Sequence, residues 1–174
     1  MSGYSIKKAW SDRFIPEIKM ILCDFFINVA PMEKDCNEAT DLIVMQTTGA
    51  SIACRVRQNN YRFFNDMTIR SKTRNNKYTE ISKIIDGFGQ YYFYGWADKN
   101  EEHIEKWLLG DLNVFRAHLI RKGCMNVLSN EIANGDGTWF VSFDPYKIDG
   151  FIVKQFDKME PEWEINLPPF PEVA

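Results

Sequence analysis

The sequence predicts an α/β (α+β) protein with a central mixed β-sheet flanked by helices, and three observations predict it. Apolar residues recur at helical spacing in three separate stretches. Several segments rich in aromatic and β-branched residues carry the period of two that marks strands. The two kinds of segment interleave along the chain, and a sheet covered by helices is the packing that buries the apolar side of both. At 174 residues, 45% hydrophobic, the chain suffices for one buried core. We read one domain over residues 1–150 and a proline-rich, acidic extension over 151–174.

After a short basic start, "WSDRFIPEIKMILCDFFINVAP" places Phe14, Ile15, Ile18, Ile21, Leu22 and Phe25 on one helical face. Ser11 or Asp12 caps it, Pro16 is tolerated in its first turn, and the helix should end before Pro31. "MEKDCNEAT" then leads into the strand "DLIVMQ", and "TTGA" is a turn before the strand "SIACRVR". In that strand Ile52, Cys54 and Val56 share one face while Ala53, Arg55 and Arg57 share the other. The apolar face should pack on the helix, with the arginines projecting away.

"YRFFNDMTIRSK" reads as a further strand interrupted near Asn65 and Asp66, and "TRNNK" as an exposed loop. Thr79 is the expected cap of the helix "EISKIIDGFG". There Ile81, Ile84, Ile85 and Phe88 form an apolar stripe, Glu80 and Lys83 lean to solvent, and Gly87 or Gly89 ends the turn. "QYYFYGWAD" is the strongest strand, and "HIEKWLLGD" is its expected hairpin partner across "DKNEE". "LNVFRAHLIRKG" is a helix closed by Gly123, "NVLSNEIANGDGT" a loop and "TWFVSFD" a last strand, after which the chain should be irregular.

Composition excludes several functions. Cys23, Cys36, Cys54 and Cys124 lack zinc-site spacing and are expected as reduced, mostly buried thiols, and only His103 and His118 could serve a histidine metal centre. There is no GxSxG elbow, P-loop or GxGxxG. Apolar stretches are too short to span a bilayer, and the first residues lack a secretory signal's apolar run. A cytoplasmic protein without a membrane partner is the expectation.

The net charge of −3 conceals an asymmetry. Between residues 55 and 77 stand Arg55, Arg57, Arg62, Arg70, Lys72, Arg74 and Lys77 against the one acid Asp66, whereas the C-terminal stretch is acidic. With Tyr61, Phe63, Phe64 and Tyr78 interleaved, this run suits a nucleic-acid surface, DNA before RNA, with cations on phosphates and rings on bases. Were all seven to meet phosphates of duplex DNA, log affinity would fall against log salt with a slope of roughly −6. The plainer alternative is a solvated strand edge guarded by its charges. The acidic extension would then either cover the basic run or imitate nucleic acid toward another protein.

From about Ser11 to Ala97 the order helix, strand opening on Asp41, turn, strand bearing cations, helix, strand resembles the PD-(D/E)XK, or restriction-endonuclease-like, nucleases. The resemblance implies a restriction-endonuclease-like core in which Asp41 is the first metal-holding acid, with Mg²⁺ as the cofactor. "RVR" stands where that family carries Glu-x-Lys, so Arg57 takes the lysine position. There it would stabilise phosphoryl charge but could not act as a base. The second acid would come from the following helix as Glu80, with Lys83 one turn on, and Glu17 is a third candidate. Each has an ordinary alternative: Asp41 as a residue that starts a strand, Glu80 as an acid favoured in a first helical turn, and Arg57 as half of an ion pair.

"SDRFIPEIK", "TDLIV", "IACRVR", "TIRS" and "FYGWAD" are also similar to uncharacterised phage and prophage proteins, which implies a host-cell cytoplasm. The expected function is therefore a nucleic-acid-binding protein that hydrolyses phosphodiester bonds with Mg²⁺ if its site is intact; a homodimer is compatible with it, and the sequence does not say whether two copies pair to cut two strands. The alternative is a catalytically inactive nuclease-like fold that binds nucleic acid or a host protein. A third reading is an assembly factor working through the proline-rich extension.

Overall fold

The computed structural model describes residues 3–29, 42–44, 50–75, 78–123 and 131–158. The expected first helix is two. Helix α1 (Gly3–Asp12) occupies the segment read as a basic start, and α2 (Ile15–Phe26) follows it after a turn at Arg13 and Phe14. Pro16 sits at the second position of α2, where its missing N–H costs nothing. Phe14, Ile18 and Leu22 are buried as the spacing requires, but Ile15 is exposed. The chain then enters the short strand β1 (Ile27–Val29), which pairs antiparallel with β2 (Leu42–Val44).

Strand β3 (Ile52–Arg57) lies in a different sheet from β2, and the turn expected between them at "TTGA" falls outside the described residues except for Ala50. Its neighbour is β5 (Tyr91–Ala97), which it meets in parallel, with Arg55 opposite Tyr94. The crossover between them contains a 3₁₀ turn at Asn59–Tyr61, strand β4 (Met67–Thr73) and helix α3 (Glu80–Ile85). Strand β4 begins after Asp66, so "YRFF" is turn and loop rather than strand. Strand β6 (Ile104–Asp111) forms the expected antiparallel hairpin with β5, and helix α4 (Leu112–Lys122) follows and ends at Gly123, whose φ is 76°.

Two strands appear where loop or irregular chain was expected. Strand β7 (Ile132–Asn134) lies within the predicted loop and pairs with β8 (Thr138–Phe143), which in turn pairs with β4. Strand β9 (Ile152–Asp157) lies within the predicted extension and pairs antiparallel with β6. The result is a mixed four-stranded sheet in the order β3-β5-β6-β9 and a three-stranded sheet in the order β4-β8-β7.

The four-stranded sheet is apolar on both faces. On one, Val56, Phe93, Ala97, Ile104 and Leu109 pack against Phe14, Ile18 and Leu22. On the other, Tyr92, Tyr94, Trp96 and Leu108 meet Met67, Ile69, Val141 and Phe143 of the three-stranded sheet, with Ile81, Ile84, Leu112, Phe115 and Leu119 from α3 and α4. This double burial explains why "QYYFYGWAD" reads as an almost continuous apolar run. Ile85 and Phe88, expected in the α3 stripe, are exposed, as are Cys23 and Cys54, expected as buried thiols. Cys36 and Cys124 lie outside the described residues.

Candidate functional site

Two of the residues that the sequence singles out, Arg55 and Glu80, meet where β4 approaches β3 and α3. Strand β4 is an edge of its sheet, so the backbone groups on its side away from β8 need partners from elsewhere. Side chains supply them. Arg55 Nη1 donates to the Thr68 carbonyl at 2.7 Å, the Arg70 N–H donates to Glu80 Oε2 at 3.2 Å, and the Thr68 N–H donates to the Tyr94 hydroxyl at 3.0 Å. Arg55 and Glu80 are joined directly, Nη1 to Oε2, at 3.0 Å. The face assignment for β3 holds: Arg55 and Arg57 project away from α2, toward β4.

Glu80 therefore points inward, not to solvent as its place in the helix suggested. Its Oε1 accepts from the Tyr92 hydroxyl at 2.8 Å, so three donors in all converge on one carboxylate. An ionised carboxylate has about four lone-pair positions, and three are occupied here. Burial and the Glu80 charge push the Tyr92 phenol upward against the opposing pull of Arg55, so it stays a protonated donor at neutral pH. Burial works against the charge of Arg55, yet the Tyr92, Glu80 and Tyr94 oxygens outweigh it and the guanidinium pKa is raised. The group is a closed hydrogen-bonded unit of guanidinium, carboxylate and phenol.

The other predicted residues are dispersed. Arg57 pairs with Asp66 at 3.1 Å and lies over the Tyr61 ring at 4.5 Å, while Asp66 also accepts from Ser142. Arg62 pairs with Glu105 at 3.3 Å and stacks on Phe63. Lys72 lies over Trp139, and Arg74 sits against Gly137 in the turn before β8. Lys72, Arg74 and Lys83 are exposed. Glu17 is spent on structure, accepting from the Ile104 N–H at 3.0 Å. Asp41 and Lys77 lie outside the described residues. Among the described residues no group of three or more His, Cys, Asp or Glu side chains is placed to hold a metal ion.

One feature escaped the sequence reading, and one that it singled out, the aromatic run, has a form it did not specify. Tyr92 and Tyr94 were legible only as strand residues, although their hydroxyls complete the polar unit. Tyr61, Phe63 and Phe64 form an exposed aromatic knuckle between β3 and β4, with Phe63 77% and Phe64 57% exposed. The cations beneath it are neutralised locally, Arg57 by Asp66, Arg62 by Glu105, and Lys106 by Asp157 at 2.8 Å. The three rings are thus exposed on a surface whose neighbouring arginines are paired with acids of the same molecule.

Comparison with models of protein families, with curated proteins and with solved structures finds no match for this chain.

Proposed function

We propose that this chain is a non-catalytic binding protein, the inactive form of a nuclease-like layout, and that its partner is a protein engaged through the Tyr61–Phe64 knuckle. The observation that carries the reading is the Glu80 carboxylate. Its oxygens are taken by Arg55, Tyr92 and the Arg70 N–H. A divalent cation there would have to displace these donors while standing beside a fixed guanidinium. Among the cations expected on phosphates, Arg55, Arg57 and Arg62 are committed to acids of the same molecule. A polyanion gains most of its affinity from unneutralised cations, whereas aromatic rings on a balanced surface suit an apolar pocket of a protein.

One observation favours nucleic acid as a second reading. Lys72 and Arg74 remain exposed near the end of β4, and rings of the knuckle would stack on unpaired bases. If those two cations alone met a single strand, the salt slope would be only about −1.4, far below the roughly −6 expected if all seven cations met duplex DNA.

The test is incubation with labelled single- and double-stranded DNA and RNA in Mg²⁺, Mn²⁺ or EDTA, beside Asp41→Ala and Glu80→Gln variants. No cleavage and no binding beyond the non-specific level supports the proposal. Metal-dependent cleavage abolished in both variants would overturn it and restore the Mg²⁺ nuclease with Asp41 and Glu80 as its ligands. Tight binding without cleavage, lost in a Phe63→Ser/Phe64→Ser variant, would replace the protein partner by a nucleic acid.

A further inference from the structure

The two sheets end in contrasting ways. The free side of β4 is closed by Arg55, Glu80 and Tyr94. Strand β9 ends the other sheet, with β6 on one side and no strand beyond it among the described residues. It is six residues long, "IVKQFD", β-branched and aromatic in character, with Val153 42% and Phe156 48% exposed. Such an edge presents a row of backbone donors and acceptors that another strand can complete.

We propose that β9 pairs antiparallel with β9 of a second copy of this chain, joining two four-stranded sheets across a two-fold axis at Gln155. Charge limits the register. An axis at Lys154 would set two lysines face to face, an axis at Phe156 would set Lys154 against Lys158, and an axis at Asp157 would pair only the end of the strand. An axis at Gln155 opposes the two glutamines, sets Lys154 against the Phe156 ring of the other copy, and sets Val153 against Asp157. No like charges meet, and the strand is used along most of its length. The interface is isologous, so it closes as a dimer instead of propagating. It stands independently of what the knuckle binds.

Residues on the axis face each other with Cα atoms about 4.5–5.5 Å apart, which is within disulfide reach. The experiment combines sedimentation of the full chain over a dilution series with two substitutions at the exposed Gln155, the fold being checked by circular dichroism. Gln155→Cys should give a disulfide-linked dimer on mild oxidation that the parent chain, with its own cysteines, does not give. Gln155→Lys places two like charges on the axis and should convert the dimer to a monomer with unchanged circular dichroism. A monomer at every concentration would overturn the proposal. So would a dimer that survives Gln155→Lys and fails to cross-link through Gln155→Cys, because it would use another surface.

Discussion

Arg55 and Glu80, 25 residues apart in sequence, stand 3.0 Å from each other and together serve the unpaired edge of β4. Arg55 satisfies the Thr68 carbonyl and Glu80 the Arg70 N–H, so the ion pair does the work of a missing strand. That explains an arginine in the middle of a sheet strand of an acidic protein. Removing one member strips the edge and leaves its partner uncompensated. Since both side chains are about a third exposed, the loss expected for Arg55→Met is about 2 kcal/mol, below that of a fully buried pair. The urea midpoint should fall at unchanged m. The Arg55→Met/Glu80→Gln double variant should lose less than the sum of the single variants.

Gly110 of β6 faces the buried Phe151, and a Cβ built there would lie 2.0 Å from the ring's Cζ. Gly110→Ala should therefore cost about 3 kcal/mol or more, because neither the ring nor the strand has room to yield. Adding Phe151→Leu to the same chain should recover part of the loss, and thermal unfolding of the three variants checks it.

Arg116 of α4 reaches across to α3 and donates to the carbonyls of Ile84, Phe88 and Gly89. Ile84 lies in the last turn of α3 and Phe88 and Gly89 in the chain just beyond it, so one guanidinium holds the end of the helix and the segment that leaves it. Arg116→Ala should destabilise by about 1–2 kcal/mol, with α3 amides becoming the first to exchange in a hydrogen-exchange experiment.

Asp136, in the turn between β7 and β8, has its pKa lowered from 3.8 to about 2 by Lys7 and by Thr138. Lys7 lies in α1, so the 2.7 Å pair ties the first helix to the three-stranded sheet. A depressed carboxylate contributes its full stability above its unfolded pKa and loses it as pH falls through the folded one. Stability should accordingly drop between about pH 4 and pH 2, and Asp136→Asn should flatten that part of the profile. Both side chains are well exposed, so the effect is small.

Phe63→Ser and Phe64→Ser remove rings that the fold leaves in water. Each should change unfolding free energy by no more than about 0.5 kcal/mol. A larger loss in denaturant titration would mean that the knuckle is structural, and its role as a contact site would fall.

The fold was legible where one period dominated. Strands β3, β5, β6 and β8 and helix α4 follow from alternation, an apolar run or a helical stripe within a single segment. Helix α1 was not, because Ile6 and Trp10 are diluted by charged neighbours and Ile6 stays exposed. Strand β9 was hidden because only its two ends are partly covered, leaving no clear alternation to read. The charged residues were half legible. Arg57 pairs with Asp66, nine residues away, the ion-pair alternative the sequence offered. Glu80 shows the limit: a first-turn acid normally faces solvent, and only the approach of Arg55 and Tyr92 from other elements turns it inward.

The side-chain closure of β4 also bears on the order of assembly. Its donors and acceptors arrive from β3, α3 and β5, three elements separated along the chain and brought together by the parallel β3–β5 crossover. A compact intermediate that has formed any two of these but not the third buries part of the β4 edge with polar groups unanswered. Such half-built forms are penalised, and the three-stranded sheet gains its seat only when all three contributors coincide, which makes the two sheets a single cooperative folding unit.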